Sequence, residues 1–441
     1  FGYLTTCDEA FPWNLGILEQ VAALKWIKEN IAAFGGDPNK ITIFGESAGS
    51  ASVNFHLVSE MSKGLFANAI MQSGTVFSPW ATFDDMEVLR KQAFGIGEKV
   101  GCTQSDSSAL VDCLREKDAT ELYLNSGLAE FRSPVVVDGK FLTAKADMLY
   151  ATGRFNNVKL LHGSNRDEGT LSILSNPRFA DYFVSPTAPH ISKEVFDQMV
   201  VFDFSVLAGQ GEEDIAHLME AIKMLYIDWS VAEYNNTDYF RNYVDFATDM
   251  SFACGHDRVG RLHAQAGDDV FSYQMTYAPA LSVFAAYFGS PGWIGAGHAE
   301  ELLLVFGVPF IPELQEIYAA IPPEEKRFSV KFMEFWTNFA KTGNPGTKTP
   351  GSQPESSQDY WPRFTVPELD YKVLDLNLTT SRALKSRQCY FWNKYVPQLE
   401  TMLGNLEETQ RDWRESYAAW KYTDIANWRE EFARYRETTK N

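Results

Sequence analysis

The sequence predicts an α/β fold, with a mostly parallel central sheet flanked by helices. Three observations carry this expectation. Short apolar runs of strand length alternate with helix-like segments along most of the chain. The run Ile41–Phe44 leads through Gly45-Glu46-Ser47-Ala48-Gly49 directly into the helix-like Ser50–Leu57, forming a strand–turn–helix unit. Finally, 441 residues with a 45% hydrophobic fraction can bury a large core, and no apolar run reaches the ~20 residues of a membrane span.

Taken in order, residues 16–34 read as a helix that Gly35-Gly36 ends, and the strand 41–44 follows. Ala69–Met71, Val135–Val137 and Lys159–Leu161 read as further short parallel strands. Helices are expected over 192–200, 213–226 and 328–341, the last stopped by Lys341-Thr342-Gly343-Asn344-Pro345. Residues 343–360 are rich in Gly, Pro, Ser and Thr and read as a surface loop. From Asn405 to Glu437 there is neither Gly nor Pro, so this stretch reads as one long amphipathic helix. Trp413, Tyr417, Trp420, Trp428, Phe432 and Tyr435 then fall within an arc of roughly 120°. A docked C-terminal helix would bury such a stripe; a helix so charged on its other face favours oligomerisation.

A net charge of −19 argues against nucleic acid or anionic lipid as partner and favours approach of cationic ligands. The 5 cysteines form no CxxC pair, so neither a zinc site nor thioredoxin-like chemistry is expected. Cys102 and Cys113 have the spacing of a local disulfide loop around the helix-like Ser107–Val111. Asn235 and Asn377 head glycosylation sequons, and together with a disulfide they point to a secreted or extracellular protein.

The chemistry centres on Ser47. A serine on a sharp strand-to-helix turn holds its hydroxyl at the mouth of a site, and Gly45 and Gly49 are expected to avoid clashes as strand and helix converge. A serine hydroxyl needs a base to take its proton, and the base needs an acid to orient it. Among the 7 histidines, His298 is the candidate base, because Gly292–Gly297 is a glycine-rich loop feeding a helix. His56 falls on the helix after Ser47, His162 precedes any suitable acid, and His190, His217, His256 and His263 lie in or beside helical, polar segments. The acid belongs in Asn165-Arg166-Asp167-Glu168-Gly169, where an apolar strand ends; spacing leaves Asp167 and Glu168 even.

These residues resemble the type-B carboxylesterase/cholinesterase family of α/β-hydrolases. The matches run through Asn14-Leu15-Gly16, Phe34-Gly35-Gly36-Asp37-Pro38, Phe44–Gly49, Gln72-Ser73-Gly74, Asp167-Glu168-Gly169, Lys341–Pro345 and Tyr390-Phe391-Trp392-Asn393, covering about 1–400 in the family's order. The resemblance implies an α/β-hydrolase catalytic domain over 1–400 and a separate helical tail over 401–441. It implies a Ser47–His298–Glu168 triad with Ala48 N–H in the oxyanion hole, and no cofactor or metal. It also implies the disulfides Cys102–Cys113 and Cys254–Cys389, leaving Cys7 free. Trp80 resembles an acyl-pocket tryptophan, and Ala129 and Phe131 fall where cholinesterases place two phenylalanines, so Ala129 would enlarge that pocket. Glu46 and the retained Trp293 are expected in the substrate pocket, where Glu46 would offer charge to a cation. Leu171 stands where cholinesterases carry an aromatic.

The tail, with Trp413, Trp420 and Trp428, resembles the tryptophan-rich tetramerisation tails of neuronal cholinesterases, which wrap a proline-rich anchoring peptide. This implies a homo-oligomer tethered at a cell surface or synapse. The chain begins after the family's His-Gly-Gly-Gly motif and after strands that would neighbour Ile41–Phe44. The expectation is therefore a fragment lacking its N-terminal strands, with an unpaired apolar edge and a catalytically weakened site. A cholinesterase is the expected subtype, a general carboxylesterase the alternative, and an inert cholinesterase-like adhesion protein the rival of another class.

Overall fold

A computed structural model describes residues 2–83, 85–125, 134–208, 212–232, 234, 236–280, 282–283, 292–314 and 321–402, with positions 409, 413, 416, 417, 420, 421, 425, 427, 428, 432 and 435 beyond them. Its centre is a 6-stranded sheet whose neighbours follow chain order: β1 (Thr42–Glu46), β2 (Asn68–Gln72), β3 (Lys159–Asn165), β4 (Val270–Met275), β5 (Asp370–Leu374) and β6 (Thr380–Arg382). β1 to β5 run parallel, and β6 returns antiparallel to β5. Parallel strands need crossover helices on their faces, so such a sheet is covered on both sides.

Side-chain parity divides the core into two layers. Ile70, Leu161, Phe271, Tyr273 and Met275 face the helix Pro323–Thr342 and pack with its Phe328, Phe332, Phe335, Trp336 and Phe339. Ala69, Met71, Leu160 and Val270 face the other way, onto Val53 and Leu57 of the helix Ala48–Val58 and Val259 of the helix Cys254–Gln265. Each such side chain removed from water contributes roughly 1.5–3 kcal/mol. Pro323–Thr342 is well delimited: Pro323 and the acidic Glu324 and Glu325 open it, and Gly343 closes it at φ 74°.

The mostly parallel α/β architecture expected from the sequence is thus present, with local corrections. Val135–Val137 is not a strand: Val135 makes one isolated bridge to Thr82, and the β-branched run otherwise follows an irregular path. The first strand extends to Glu46, so the residue before Ser47 is the last of β1. The expected helices at 192–200 and 328–341 are longer, at Lys193–Asp203 and Pro323–Thr342. Among the described residues β1 pairs only with β2, and Phe44 on it is 49% exposed beside Phe306.

Disulfides join Cys102 to Cys113 and Cys254 to Cys389, and Cys7 is a free thiol. Among the described residues no helix is long and apolar enough to cross a membrane. The sequon residue Asn377 is exposed; Asn235, Ala129 and Phe131 lie outside the described residues. The chain divides into two compact units, Phe1–Cys389 and Tyr390–Asn441. In the second, Trp413, Tyr417, Trp420, Trp428, Phe432 and Tyr435 are all exposed at helical positions. Trp413 stacks on Tyr417 at 5.3 Å and Trp428 on Phe432 at 5.3 Å, as residues one turn apart on a single face would.

Candidate active site

The site lies at the carboxyl ends of the parallel strands, where an open α/β sheet presents its loops. Ser47 follows β1 immediately. Its backbone sits at φ 56°, ψ −120°, strained for a non-glycine residue, and it caps the helix that starts at Ala48. Ser47 is half-buried, Ala48 is exposed, and the amides of this first helical turn have no intrahelical partner. The turn is possible because strand and helix nearly touch: a Cβ at Gly45 would overlap the backbone carbonyl of Gly49. The clash falls at Gly45 alone, since a Cβ at Gly49 would meet open space. The sequence-based expectation that both glycines relieve a side-chain clash is therefore half right.

His298 is in the turn ahead of the short helix Leu302–Val305 and is 6% exposed. Its Nδ1 lies 2.7 Å from Oε2 of the fully buried Glu168. The other carboxylate oxygen of Glu168, Oε1, accepts from Ser73 Oγ at 2.5 Å and from the Asn165 amide at 2.6 Å. Asp167, which spacing could not separate from Glu168, faces elsewhere. It pairs with Arg166 and Arg241 and accepts the Ala296 amide at 2.8 Å, so it braces the loop that carries His298. On the far side of the imidazole, Glu46 Oε1 is 3.1 Å from Nε2, off the line of a directed hydrogen bond, so this contact is electrostatic. Glu46 thereby ties the end of β1, and Ser47 after it, to His298.

A third carboxylate completes the cluster. Glu301 is fully buried, accepting from Gln72 Nε2 at 2.9 Å and Asn165 Nδ2 at 2.6 Å, while Gln72 Oε1 takes the Trp336 indole N–H at 2.8 Å. Burial opposes charge on His298, but the Glu168 hydrogen bond and charge, with Glu46 and Glu301 beyond, outweigh it and hold the imidazole up at about 9. Burial raises Glu46 to about 8; His298 opposes, and the Glu301 and Glu168 charges add to the rise. Burial, then Glu168, raises Glu301 as well.

Around this centre, Trp80 packs 6.0 Å from Phe252, whose ring lies 4.8 Å from that of His298. Trp293 is held by Phe240 at 5.7 Å and by the Ser185 carbonyl, and Leu171 is half-buried on the helix Thr170–Ser175. Sequence reasoning did not single out Ser73, Glu301 or Phe252. Ser73 carried a signal, because it stands in Gln72-Ser73-Gly74 right after an apolar strand; at φ 58° it turns the chain as it leaves β2. No group of side chains among the described residues is arranged to hold a metal ion.

The chain is similar to known proteins along most of its length. A family model described as "Carboxylesterase family" matches residues 1–392. A protein named acetylcholinesterase from Danio rerio is 31% identical over 474 aligned residues, covering 99% of this chain and 71% of that protein. Another so named, from Bungarus fasciatus, is 32% identical over 436, covering 96% of this chain and 66% of that protein.

Proposed function

The chain belongs to the carboxylesterase family of ester hydrolases, and from that premise we propose that it is a serine esterase working through Ser47, His298 and Glu168. The observation that carries the proposal is the buried His298–Glu168 contact at 2.7 Å, at the same carboxyl ends of the parallel strands as a serine on a strained strand-to-helix turn. Ser47 Oγ attacks the ester carbonyl while His298 Nε2 takes its proton. Negative charge gathers on the carbonyl oxygen, toward which Ala48 N–H donates. Collapse breaks the bond to the alcohol, which leaves with the proton from Nε2, and an acyl-Ser47 remains. Water then repeats the sequence and frees the acid. Glu168 keeps the Nδ1 proton in place and stabilises the imidazolium. The test is labelling with a fluorophosphonate probe, read by peptide mass spectrometry on this chain and on the longest natural form containing it. Modification at Ser47 is expected; folded protein unlabelled in both forms would favour the inert adhesion reading.

The pH dependence follows from the carboxylates around His298. Only the neutral imidazole can accept a proton, and His298 is held up at about 9. Activity is therefore expected to climb as pH rises toward about 9. Glu46→Gln removes an anion 3.1 Å from Nε2 and should move the midpoint of that climb to lower pH. A profile of kcat/KM unmoved by Glu46→Gln would contradict this.

For substrate we infer a choline ester, supported by the acidic pocket residue Glu46, the retained Trp293 and the resemblance of the tail. Leu171, where an aromatic would hold a quaternary ammonium, supports the general carboxylesterase instead. A cation held by aromatic faces gains ~0.5–2 kcal/mol, so a thiocholine ester should exceed its uncharged carbon isostere in kcat/KM by about tenfold. Equal values would select the general esterase. For the tail we propose self-association through its exposed aromatic stripe, with a proline-rich segment as the peptide it would wrap. Replacing Trp413, Trp420 and Trp428 together by alanine is expected to reduce the mass by light scattering to that of one chain; an unchanged mass would reject the role. Two disulfides fit an oxidising, extracellular setting.

A further inference from the structure

Two histidines that the triad does not use lie beneath it. His256, on the helix Cys254–Gln265, is 3% exposed, and its Nε2 accepts the Gly74 amide at 3.0 Å. His162, on β3, is 1% exposed and stacks on His256 at 5.5 Å with only 8° between the rings. Room for His162 is made by Gly260, where a Cβ would lie too close to its ring.

What His256 holds is the turn on which the site converges. A Cβ at Gly74 would overlap the Ser47 carbonyl oxygen, so this turn lies directly against the nucleophile's backbone. The Gly74 carbonyl accepts Ser50 Oγ at 2.6 Å, which fixes the helix that Ser47 caps. The preceding residue, Ser73, holds Glu168 Oε1. One amide, Gly74 N–H, is thus the point where a shift would move the nucleophile and the acid together.

An N–H donor leaves the acceptor nitrogen no choice of state. Nε2 of His256 must be bare, so its single proton belongs on Nδ1. Nδ1 has no hydrogen-bond partner among the described residues and neither has Tyr273 Oη; His256, Tyr273 and Ser164 together line a cavity of about 20 Å³. Asp257, also at that cavity, is engaged by Arg261. Burial holds His256 down at about 3 and, with the neighbouring His256 and His263, holds His162 well below its ordinary value. The ring therefore stays a neutral acceptor throughout the range in which His298 titrates.

We propose that His256 is a positioning residue: the bare Nε2 anchors the Ser73–Gly74 turn and so keeps Ser47 and Glu168 in reacting register. The inference rests on the esterase function proposed above. His256→Leu removes the acceptor, and His256→Gln returns an amide oxygen near the position of Nε2. Small misplacements of reacting groups can cost about 10²-fold, so His256→Leu should lower kcat on that order with KM within about twofold, and His256→Gln should recover most of it. Wild-type kcat in the leucine variant, or a glutamine variant as slow as leucine, would overturn the proposal. Nitrogen-15 histidine spectra, with the variants assigning the resonance, separate it from the esterase reading. They should show His256 fixed as the Nδ1–H tautomer from pH 5 to pH 8. A His256 that protonates or exchanges tautomer in that range overturns the inference whether or not Ser47 is labelled. A fixed tautomer in a protein whose Ser47 never labels removes the esterase reading while upholding the anchored amide.

Discussion

Replacing Ser47 by alanine is expected to lower kcat on an activated ester by about 10⁶-fold, to the residue of catalysis left by substrate binding and oxyanion donors. The size follows from the division of labour proposed for the site. His298 and Glu168 act only on a proton that Ser47 supplies, so without the hydroxyl their contact does nothing for the reaction. Alanine keeps the Cβ and therefore meets the same backbone at φ 56°, ψ −120° as serine does. Its neighbours, the Gln72 carbonyl that accepts Ser47 N–H at 2.9 Å and the Ala51 amide that donates to Ser47 O at 3.0 Å, touch only main-chain atoms. Thermal stability is accordingly expected to hold within the effect of an ordinary surface substitution, roughly ±0.5 kcal/mol. Activity above a tenth of wild type in Ser47→Ala would place the nucleophile elsewhere.

The strand–turn–helix unit that carries Ser47 is legible in the sequence because its signal is local. A strand, a turn with Gly45 and a helix are contiguous, and each leaves its own pattern. His298, proposed above as the base, stands out in the sequence for a related reason, since it follows a glycine-rich loop. Spacing does not separate the two candidate acids. Asp167 and Glu168 are adjacent in one polar loop, and what separates them is Arg241, far along the chain, together with the Ala296 amide, both of which engage Asp167. Resemblance to a family chose Glu168, and the geometry brings Glu168 to the imidazole. Val135–Val137 failed as a strand because β-branched composition describes a half-buried surface rather than a ladder partner. The sequence sets His162 aside because it precedes any suitable acid, and His256 because of its helical, polar neighbours, although both are buried; the stacking that joins them depends on β3 and a helix that meet only in three dimensions.

Glu168→Gln is expected to lower kcat by about 10⁴-fold, as amide-for-carboxylate changes do in such triads, whereas Asp167→Asn should cost far less. The two residues share a loop, but their hydrogen bonds differ in kind. At Glu168, Oε1 accepts the Asn165 amide at 2.6 Å, and that main-chain donor has no alternative orientation. A glutamine must therefore set its oxygen there, which turns its NH₂ group toward His298 Nδ1. Ser73 can rotate its hydroxyl to suit; the imidazole cannot. Facing a donor, Nδ1 must become the acceptor, and the ring proton moves to Nε2. In that tautomer Nε2 has no lone pair for the Ser47 proton, and the base is lost with its position unchanged. Asp167→Asn instead weakens the ion pairs to Arg166 and Arg241 that brace the loop, so it should lower the melting temperature more than it lowers kcat. Raising the pH cannot rescue Glu168→Gln, because the obstacle is the position of a proton rather than an excess of them. If Asp167→Asn slowed turnover more than Glu168→Gln, the acid assigned to the triad would be the wrong one of the pair.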